Sequence, residues 1–169
     1  SYFECLSVVG EEGSLEQRLL AAHSRIGVID VALSALVGKR QYEIVRKDFF
    51  HQSDGTEHVK LLVAGDSVYV SEDRALLEFL LDRTLVKRSV YNDGIYALAV
   101  DEGKNMYVGT MNGTIFRNGE KFFSAGSQMA KVTKMQCGEY ERRRGVFYTT
   151  CTNRLYSPVC FTDGEMEMV

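Results

Sequence analysis

Short apolar runs separated by turn dipeptides dominate the middle and the end of the chain. Runs of β-branched and aromatic residues occupy 59–64, 68–71, 96–100, 106–110, 114–117 and 146–150, and each has the length of an ordinary strand. Around them stand Asp54-Gly55, Asp93-Gly94, Asn112-Gly113, Asn118-Gly119 and Asp163-Gly164. Such dipeptides adopt positive φ readily and close hairpins. The pattern predicts a mainly β protein built from antiparallel hairpins.

Several of these runs are apolar on both faces of the predicted strand. In residues 95–100, Tyr96 and Leu98 fall on one face while Ile95 and Ala97 fall on the other. A sheet with one face in water alternates apolar and polar residues instead. We therefore expect sheets that are packed on either side.

The order strand, tight turn, strand, tight turn, strand recurs along the chain. The anchor residues of the recurring units are Val9, Val37, Val70, Val108 and Thr149, which are 28, 33, 38 and 41 residues apart. Spacings of this size are typical of repeat architectures. Phenylalanine pairs at 49–50 and 122–123 occupy equivalent places in their units, as core residues would.

These units resemble the blades of a β-propeller and are similar to the WD40-like family of repeats over residues 26–162. The chain contains no Trp, so the Trp-Asp pair that ends a WD40 blade is absent. The resemblance implies a small or incomplete β-propeller-like antiparallel meander of about four to five short blades. It implies a single β-rich domain over residues 1–169 and leaves the function open.

Two segments favour an alternative α+β fold. Ser14-Leu15-Glu16-Gln17 fits a capping box, and Leu19, Leu20 and His23 share a helical face with Leu15. Residues 1–25 are therefore interpreted as helical or irregular, with a helix over 14–24. Residues 76–85 are also rich in good helix formers.

Charge and cysteine usage narrow the class of partner. The net charge is −3, so no overall basic field draws the chain to nucleic acid or anionic lipid. The longest apolar runs, 26–33 and 95–100, are too short to span a bilayer, and residues 1–13 lack the pattern of a signal peptide. The four cysteines, at 5, 137, 151 and 160, form no CxxC pair and are expected to be reduced packing residues. A cytoplasmic protein without membrane contact is predicted.

Catalytic and metal-binding patterns are scarce. His51, Asp54, Glu57 and His58 share one polar loop and are residue types that ligate metals, but an Asp-Gly turn needs no metal, and none is predicted. No Gly-x-Ser-x-Gly, Walker or Gly-x-Gly-x-x-Gly motif occurs. We predict no catalytic residue and no cofactor, with an enzyme of unrecognised class as one alternative.

Basic pairs and triplets supply the candidate binding residues. Arg142, Arg143 and Arg144 fall in a predicted hairpin loop over 139–145, where Glu139 and Glu141 flank them. Guanidinium groups on a projecting tip bind carboxylates or phosphates, and an adjacent aromatic ring stacks on bases or on a protein partner. The full set of candidates is Arg142, Arg143, Arg144, Tyr140, Lys39, Arg40, Lys87 and Arg88.

Two functions from different classes follow from these residues. The first is a non-enzymatic interaction or scaffold module that docks on a larger protein assembly through its loop tips. The alternative is a ribonucleoprotein- or ribosome-associated factor that contacts RNA through the basic loops, a mode that would make its binding strongly salt-dependent.

Overall fold

The protein is described here by a computed structural model over residues 3–10, 16–35, 41–55, 58–125, 130–152 and 155–169. For residues 3–6 and 16 only the backbone is described. These residues form seventeen strands and no helix. Consequently, no described segment is a helix long and apolar enough to cross a membrane.

The strands of the first half form two antiparallel sheets. The first sheet contains β1 (Phe3–Val9), β2 (Glu16–His23), β3 (Gly27–Ala35) and β4 (Tyr42–Gln52). The second contains β5 (Val59–Ala64), β6 (Ser67–Glu72), β7 (Ala75–Leu80) and β8 (Leu85–Val90). Within each sheet the strands lie side by side in the order of the sequence.

The second half repeats this arrangement. The third sheet contains β9 (Ile95–Val100), β10 (Met106–Thr110), β11 (Thr114–Arg117) and β12 (Glu120–Ser124). The fourth contains β13 (Lys131–Tyr140), β14 (Arg143–Thr152), β15 (Leu155–Tyr156), β16 (Cys160–Thr162) and β17 (Glu167–Met168). In the fourth sheet β14 pairs with both β15 and β16. Four antiparallel sheets of four or five strands confirm the predicted meander.

The recurring units correspond to the sheets. Val70, Val108 and Thr149 lie on the second strands of three successive sheets. Val9 lies on a first strand instead, so the recurring unit that contains Val9 is one strand out of step with the others. Val37 lies outside the described residues.

Turn chemistry sets the hairpins. Gly113, Gly119 and Gly164 have positive φ in turns that join neighbouring strands of one sheet, as predicted for their dipeptides. Gly55 also has positive φ but connects two sheets, and Gly94, which also connects two sheets, does not have positive φ. Asn118 precedes Gly119 with a φ of 50°, so the turn between β11 and β12 has two successive left-handed residues. That geometry matches the right-handed twist of the flanking strands.

The helix predicted over residues 14–24 is wrong where it can be compared. Residues 16–23 form strand β2, and Leu20, Ala21, Ala22 and His23 are all buried. A strand covered on both faces loses its apolar–polar alternation. Sheet pairing then overrides the helix propensity of its Leu, Gln, Arg and Ala residues.

The second predicted helix, over residues 76–85, is also a strand and a turn. β7 ends at Leu80, and Arg83 in the following turn has a φ of 75°. The carboxylate of Asp82 accepts a hydrogen bond from the backbone N–H of Thr84 at 3.0 Å. This side-chain turn offers the backbone an alternative to continuing as a helix.

The chain divides into two compact units, each with its own core. The first unit comprises Ser1–Glu72 and Leu77–Arg88, and the second comprises Asp73–Leu76 and Ser89–Val169. In the first, β5 packs on β1 and β2, and the buried side chains include Leu20, Val28, Phe50, Val68 and Phe79.

In the second unit β13 packs on β9 and β10, around Tyr107, Ile115, Val132, Val146 and Tyr148. The approach of β13 to β10 explains one glycine. A Cβ on Gly109 would lie 2.6 Å from Cγ1 of Val132, so the two sheets stack this closely only because residue 109 has no side chain.

A buried carboxylate organises the polar part of the first unit. Asp30 lies in the middle of β3 and is 0% exposed. Arg18 and Arg83 donate to its Oδ2 at 2.6 and 3.0 Å, and Arg46 donates to its Oδ1 at 3.4 Å. Burial alone would raise the pKa of Asp30, but the hydrogen bonds and the charges of these arginines outweigh burial and lower that pKa.

Candidate functional site

The arginine hairpin is formed by β13, β14 and the two-residue turn between them. Glu141 and Arg142 occupy the turn with φ values of 48° and 65°. Tyr140 pairs with Arg143, and Glu139 pairs with Arg144 in the antiparallel register. The structure therefore brings Tyr140 and the three arginines together at one end of a hairpin whose two strands have ten residues each. Arg142 lies at its tip.

The three arginines differ in their partners. Arg143 donates to Oδ2 of Asp163 at 2.9 Å. The backbone N–H groups of Glu165 and Met166, together with Arg143, lower the pKa of Asp163 to about 2. Arg142 and Arg144 are exposed, and their guanidinium groups form no hydrogen bond or ion pair within the described part of the chain. They are the two guanidinium groups at the tip that are open to a partner.

Tyr140 is held at the root of the tip by aromatic contacts. Its ring lies 6.3 Å from that of Phe147, nearly perpendicular to it, and 5.7 Å from that of Phe161. The residue nevertheless remains 42% exposed. One face of the ring thus packs inside the hairpin while the rest is available to a second molecule.

Gly145 allows β14 to approach the next strand. A Cβ at this position would lie 2.0 Å from the carbonyl oxygen of Thr162, so a side chain at residue 145 would push β16 away. Because Asp163 follows β16 directly, this close approach also places its carboxylate within reach of Arg143.

A cleft of about 520 Å³ opens beside the hairpin in the second unit. Its walls carry four carboxylates and two guanidinium groups. These belong to Asp101, Glu102, Glu139, Asp163, Arg117 and Arg144. The cleft is therefore polar and of mixed charge, with an excess of acidic groups.

The floor of the cleft is held by a hydrogen-bonded turn. The carboxylate of Asp101 accepts bonds from the backbone and side chain of Asn105 at 2.9–3.1 Å. Tyr107 donates to the same carboxylate at 3.4 Å. Burial would raise the pKa of Asp101, but the bonds from Asn105 and Tyr107 lower it, so this group stays ionised near neutral pH.

Two further lining residues limit the chemistry of the cleft. The Arg117 guanidinium carbon lies 6.0 Å from the centre of the Tyr107 ring, a cation–π arrangement. Burial raises the pKa of the Cys137 thiol to about 11, and the charge of Asp101 adds to this effect. A thiol with so high a pKa is protonated near neutral pH and is a poor nucleophile.

The other sequence-derived candidates lie elsewhere. Lys87 and Arg88 are exposed on β8, in the first unit. Lys39 and Arg40 lie outside the described residues. Among the residues that the structure describes, no three His, Cys, Asp or Glu side chains are grouped so as to hold a metal ion. Glu57 of the polar loop lies outside the described residues.

Of the charged residues that line the cleft, sequence reasoning named Arg144 and Glu139. It missed the Asp101 turn and the buried Asp30. Two different turns of the chain contribute Asp101 with Asn105, and Asn118. Asn105 bonds to both of the others, and only the folded sheet brings the two turns together. Asp30, in contrast, had a visible signal. It is the one charged residue in the apolar run 26–33, and such a residue is rarely buried unless it is paired.

The four antiparallel meanders, each of four or five strands, define a β-propeller-like fold. No protein-family model matches the chain, and no curated protein is significantly similar to it in sequence. Among solved structures, one that is similar in fold is the crystal structure of BBS1N in complex with ARL6DN, soaked with lead. The TM-score is 0.57 at 14% sequence identity. The match covers 86% of this chain but 44% of that one, so this chain spans less than half the length of BBS1N. At this identity the similarity concerns the fold.

Proposed function

We propose that the chain is a non-enzymatic protein-interaction module that docks on a larger assembly through the arginine hairpin and the adjoining cleft. The observation that carries this proposal is the pair of exposed guanidinium groups on Arg142 and Arg144, which the described residues leave without a partner. Charge-assisted bonds to carboxylates are among the strongest that a protein surface forms.

The hairpin is suited to rigid presentation of these groups. Its strands pair without interruption from Lys134–Thr149 to Tyr140–Arg143 next to the turn, and Arg143 is fixed by Asp163 at 2.9 Å. A side chain that projects from a rigid element loses less entropy on binding than one on a flexible loop. BBS1N, of the same fold, was solved in complex with the protein ARL6DN, which supports a protein partner for this fold.

The mixed charge of the site favours protein over RNA as the partner. Glu139 and Glu141 flank the exposed arginines, and Asp101 and Glu102 line the cleft beside them. A polyanion laid across the tip would bring its phosphates near these carboxylates, whereas a protein surface offers both signs of charge. Contact with RNA or a ribosome therefore stays a prediction, and the nuclease treatment described below tests it.

We also propose that the protein is cytoplasmic, that it belongs to the WD40-like repeats, and that residues 1–169 form a single domain. The thiols of Cys137, Cys151 and Cys160 are free, and buried reduced thiols suit a reducing compartment.

The test compares two double variants in a quantitative pull-down from native extract. Arg142→Ala with Arg144→Ala removes the exposed tip charges. Lys121→Ala with Lys47→Ala removes the same charge from exposed strand positions outside the hairpin and the cleft. Each charge-assisted contact contributes roughly 1.5–3 kcal/mol. The tip variant should therefore lose at least about tenfold in recovered partner, and the control variant should match the wild type.

A photocrosslinker placed at position 142 identifies the protein that touches the tip directly. Nuclease treatment of the extract distinguishes the two classes of partner, because a bound protein survives it and an RNA-bridged complex does not. Equal recovery by both double variants would refute docking through the tip.

A further inference from the structure

A second interaction surface lies on β8, away from the arginine hairpin in sequence. β8 is the last strand of the second sheet, and no described strand pairs with its outer edge. Leu85, Val86, Lys87 and Arg88 are consecutive exposed residues, with Leu85 at 51% and Val86 at 55% exposure. An edge of this kind presents a row of unpaired backbone N–H and C=O groups.

The charge on this edge is of one sign. The side-chain ammonium group of Lys87 makes no hydrogen bond or ion pair with any described residue. Arg88 has the Glu72 carboxylate nearby, but that carboxylate already accepts bonds from His51 and Ser53. The segment Leu85–Arg88 itself contains no acidic residue. The edge is therefore apolar and cationic.

The other outer strands differ from β8. β4 carries charges of both signs, Glu43 and Asp48 beside Arg46 and Lys47, and Arg46 already bonds to Asp30. The pairing of β4 with β3 is also interrupted by two register shifts. Bulges and internal ion pairs of this kind hinder the addition of another strand. On β12, Glu120 stands beside Lys121, so neither sign of charge prevails there.

A lysine on a sheet edge commonly serves to prevent pairing between copies of one protein. Here the effect depends on the partner. If a second copy paired antiparallel about the centre of the strand, Lys87 of one copy would face Arg88 of the other. Like charges directly opposite each other destabilise a strand pair, and opposite charges stabilise it. The edge thus disfavours its own copy and favours an acidic strand.

We propose that β8 binds an extended acidic segment of a partner protein, which adds a fifth strand to the second sheet. Main-chain hydrogen bonds along the free edge provide the affinity, as in other cases of strand addition. Carboxylates opposite Lys87 and Arg88 select the partner, and apolar residues flanking those carboxylates cover Leu85 and Val86.

The test uses synthetic peptides and the isotope-labelled full chain. The probe is a blocked octapeptide in which valine and threonine alternate on both sides of a central Glu-Asp pair. A second peptide replaces that pair with Lys-Lys. Titration followed by NMR should shift the amide signals of β8, and alternate amides of this strand should become protected from hydrogen exchange. The Lys-Lys peptide should bind at least tenfold more weakly.

Backbone pairing is tested on the wild-type protein with two N-methylated peptides. One carries N-methyl groups at odd positions and the other at even positions. Only one set of amides faces β8 in a paired strand, so one methylated peptide should lose binding and the other should keep it. Equal binding by both would reduce the contact to charge attraction and overturn the proposal.

Selectivity is tested by Lys87→Glu combined with Arg88→Glu, with Lys121→Glu on β12 as the control. The double variant should lose at least tenfold in affinity for the Glu-Asp peptide and gain affinity for the Lys-Lys peptide, and the control should do neither. Absence of binding by the wild type at millimolar peptide, or concentration-dependent dimerisation through β8, would refute the acidic partner. These outcomes do not depend on the arginine hairpin.

Discussion

Asp30 shows how much one side chain contributes to the first unit. Its carboxylate is fully buried, whereas the arginines that bond to it keep between 28% and 41% of their side-chain surface exposed. Removing one partner of a buried ion pair leaves the other charges without compensation. The arginines around Asp30 reach water, so we expect the loss of Asp30 to lower the free energy of unfolding by an amount near the lower end of the range for such changes.

We expect Asp30→Asn to lower the free energy of unfolding by about 3 kcal/mol, measured by urea denaturation. Asn preserves the shape and removes the charge. The matched control is Asp48→Asn, because Asp48 also bonds to Arg83, at 3.0 Å, but is 52% exposed. The control should have a much smaller effect. Equal losses in the two variants would contradict the role given to burial.

The difference between wild type and Asp30→Asn should depend on pH. The pKa of Asp30 is lowered in the folded protein from its usual 3.8, so the native state binds this proton less readily than the unfolded chain. The stabilisation is therefore fully present above about pH 4 and is lost as the pH falls through the lowered pKa. The difference between the two urea midpoints should be constant between pH 5 and pH 7 and should narrow as the pH falls below about 4.

At the scale of elements, the hairpin turn carries backbone strain. Glu141 and Arg142 both have positive φ, a conformation that Gly and Asn adopt more readily than Glu or Arg. Exposed side chains at the tip are thus presented at some loss of stability. Backbone strain of this kind is common at turns that bind a ligand or a partner.

The same substitution should have opposite effects at two positions in this hairpin. Arg142→Gly relieves a left-handed residue and should raise the free energy of unfolding by about 1 kcal/mol. Arg144→Gly lies inside β14, where glycine should lower it by roughly 0.5–1 kcal/mol. Urea denaturation of the two variants checks the signs. A loss of stability in Arg142→Gly would show that the turn is not strained.

Local patterns predicted the middle strands well. β5, β10 and β11 begin and end at the residues expected from their apolar runs, because Gly-containing turns bound most of them. Strand β2 was not predicted, since burial on both faces removes the period of two. The pairing of Arg143 with Asp163 joins residues 20 apart in the chain, and local sequence carries no signal for such a contact.

At the scale of the whole molecule, the two units are interleaved along the chain. The chain passes between them after Glu72, inside β7 after Leu76 and inside β8 after Arg88. The sequence contains no Gly/Ser linker. A strand that contributes residues to both units cannot be released from one alone without disturbing the other. One cooperative unfolding transition is therefore expected, as for a single domain of this size.

The absence of Trp makes this expectation simple to test. Phe79→Trp places one fluorophore in the first core, and Phe122→Trp places one beside the second. In each variant, urea transitions followed by Trp fluorescence and by far-UV circular dichroism should coincide, and the comparison is internal to each variant. Two separate midpoints in either one would show that the units unfold independently.

The strict order of strands within each sheet has a consequence for synthesis. The first sheet uses only residues up to 52, and the second uses only residues 59–90. A ribosome adds about 5–20 residues per second, while an antiparallel hairpin forms within about 1–10 μs. Each sheet can therefore pair its strands as soon as its last strand leaves the exit tunnel, and no early strand waits for a distant one. Within a sheet, the edge of each new strand stays open only until the next strand of that sheet arrives, which shortens the time in which a nascent chain can aggregate.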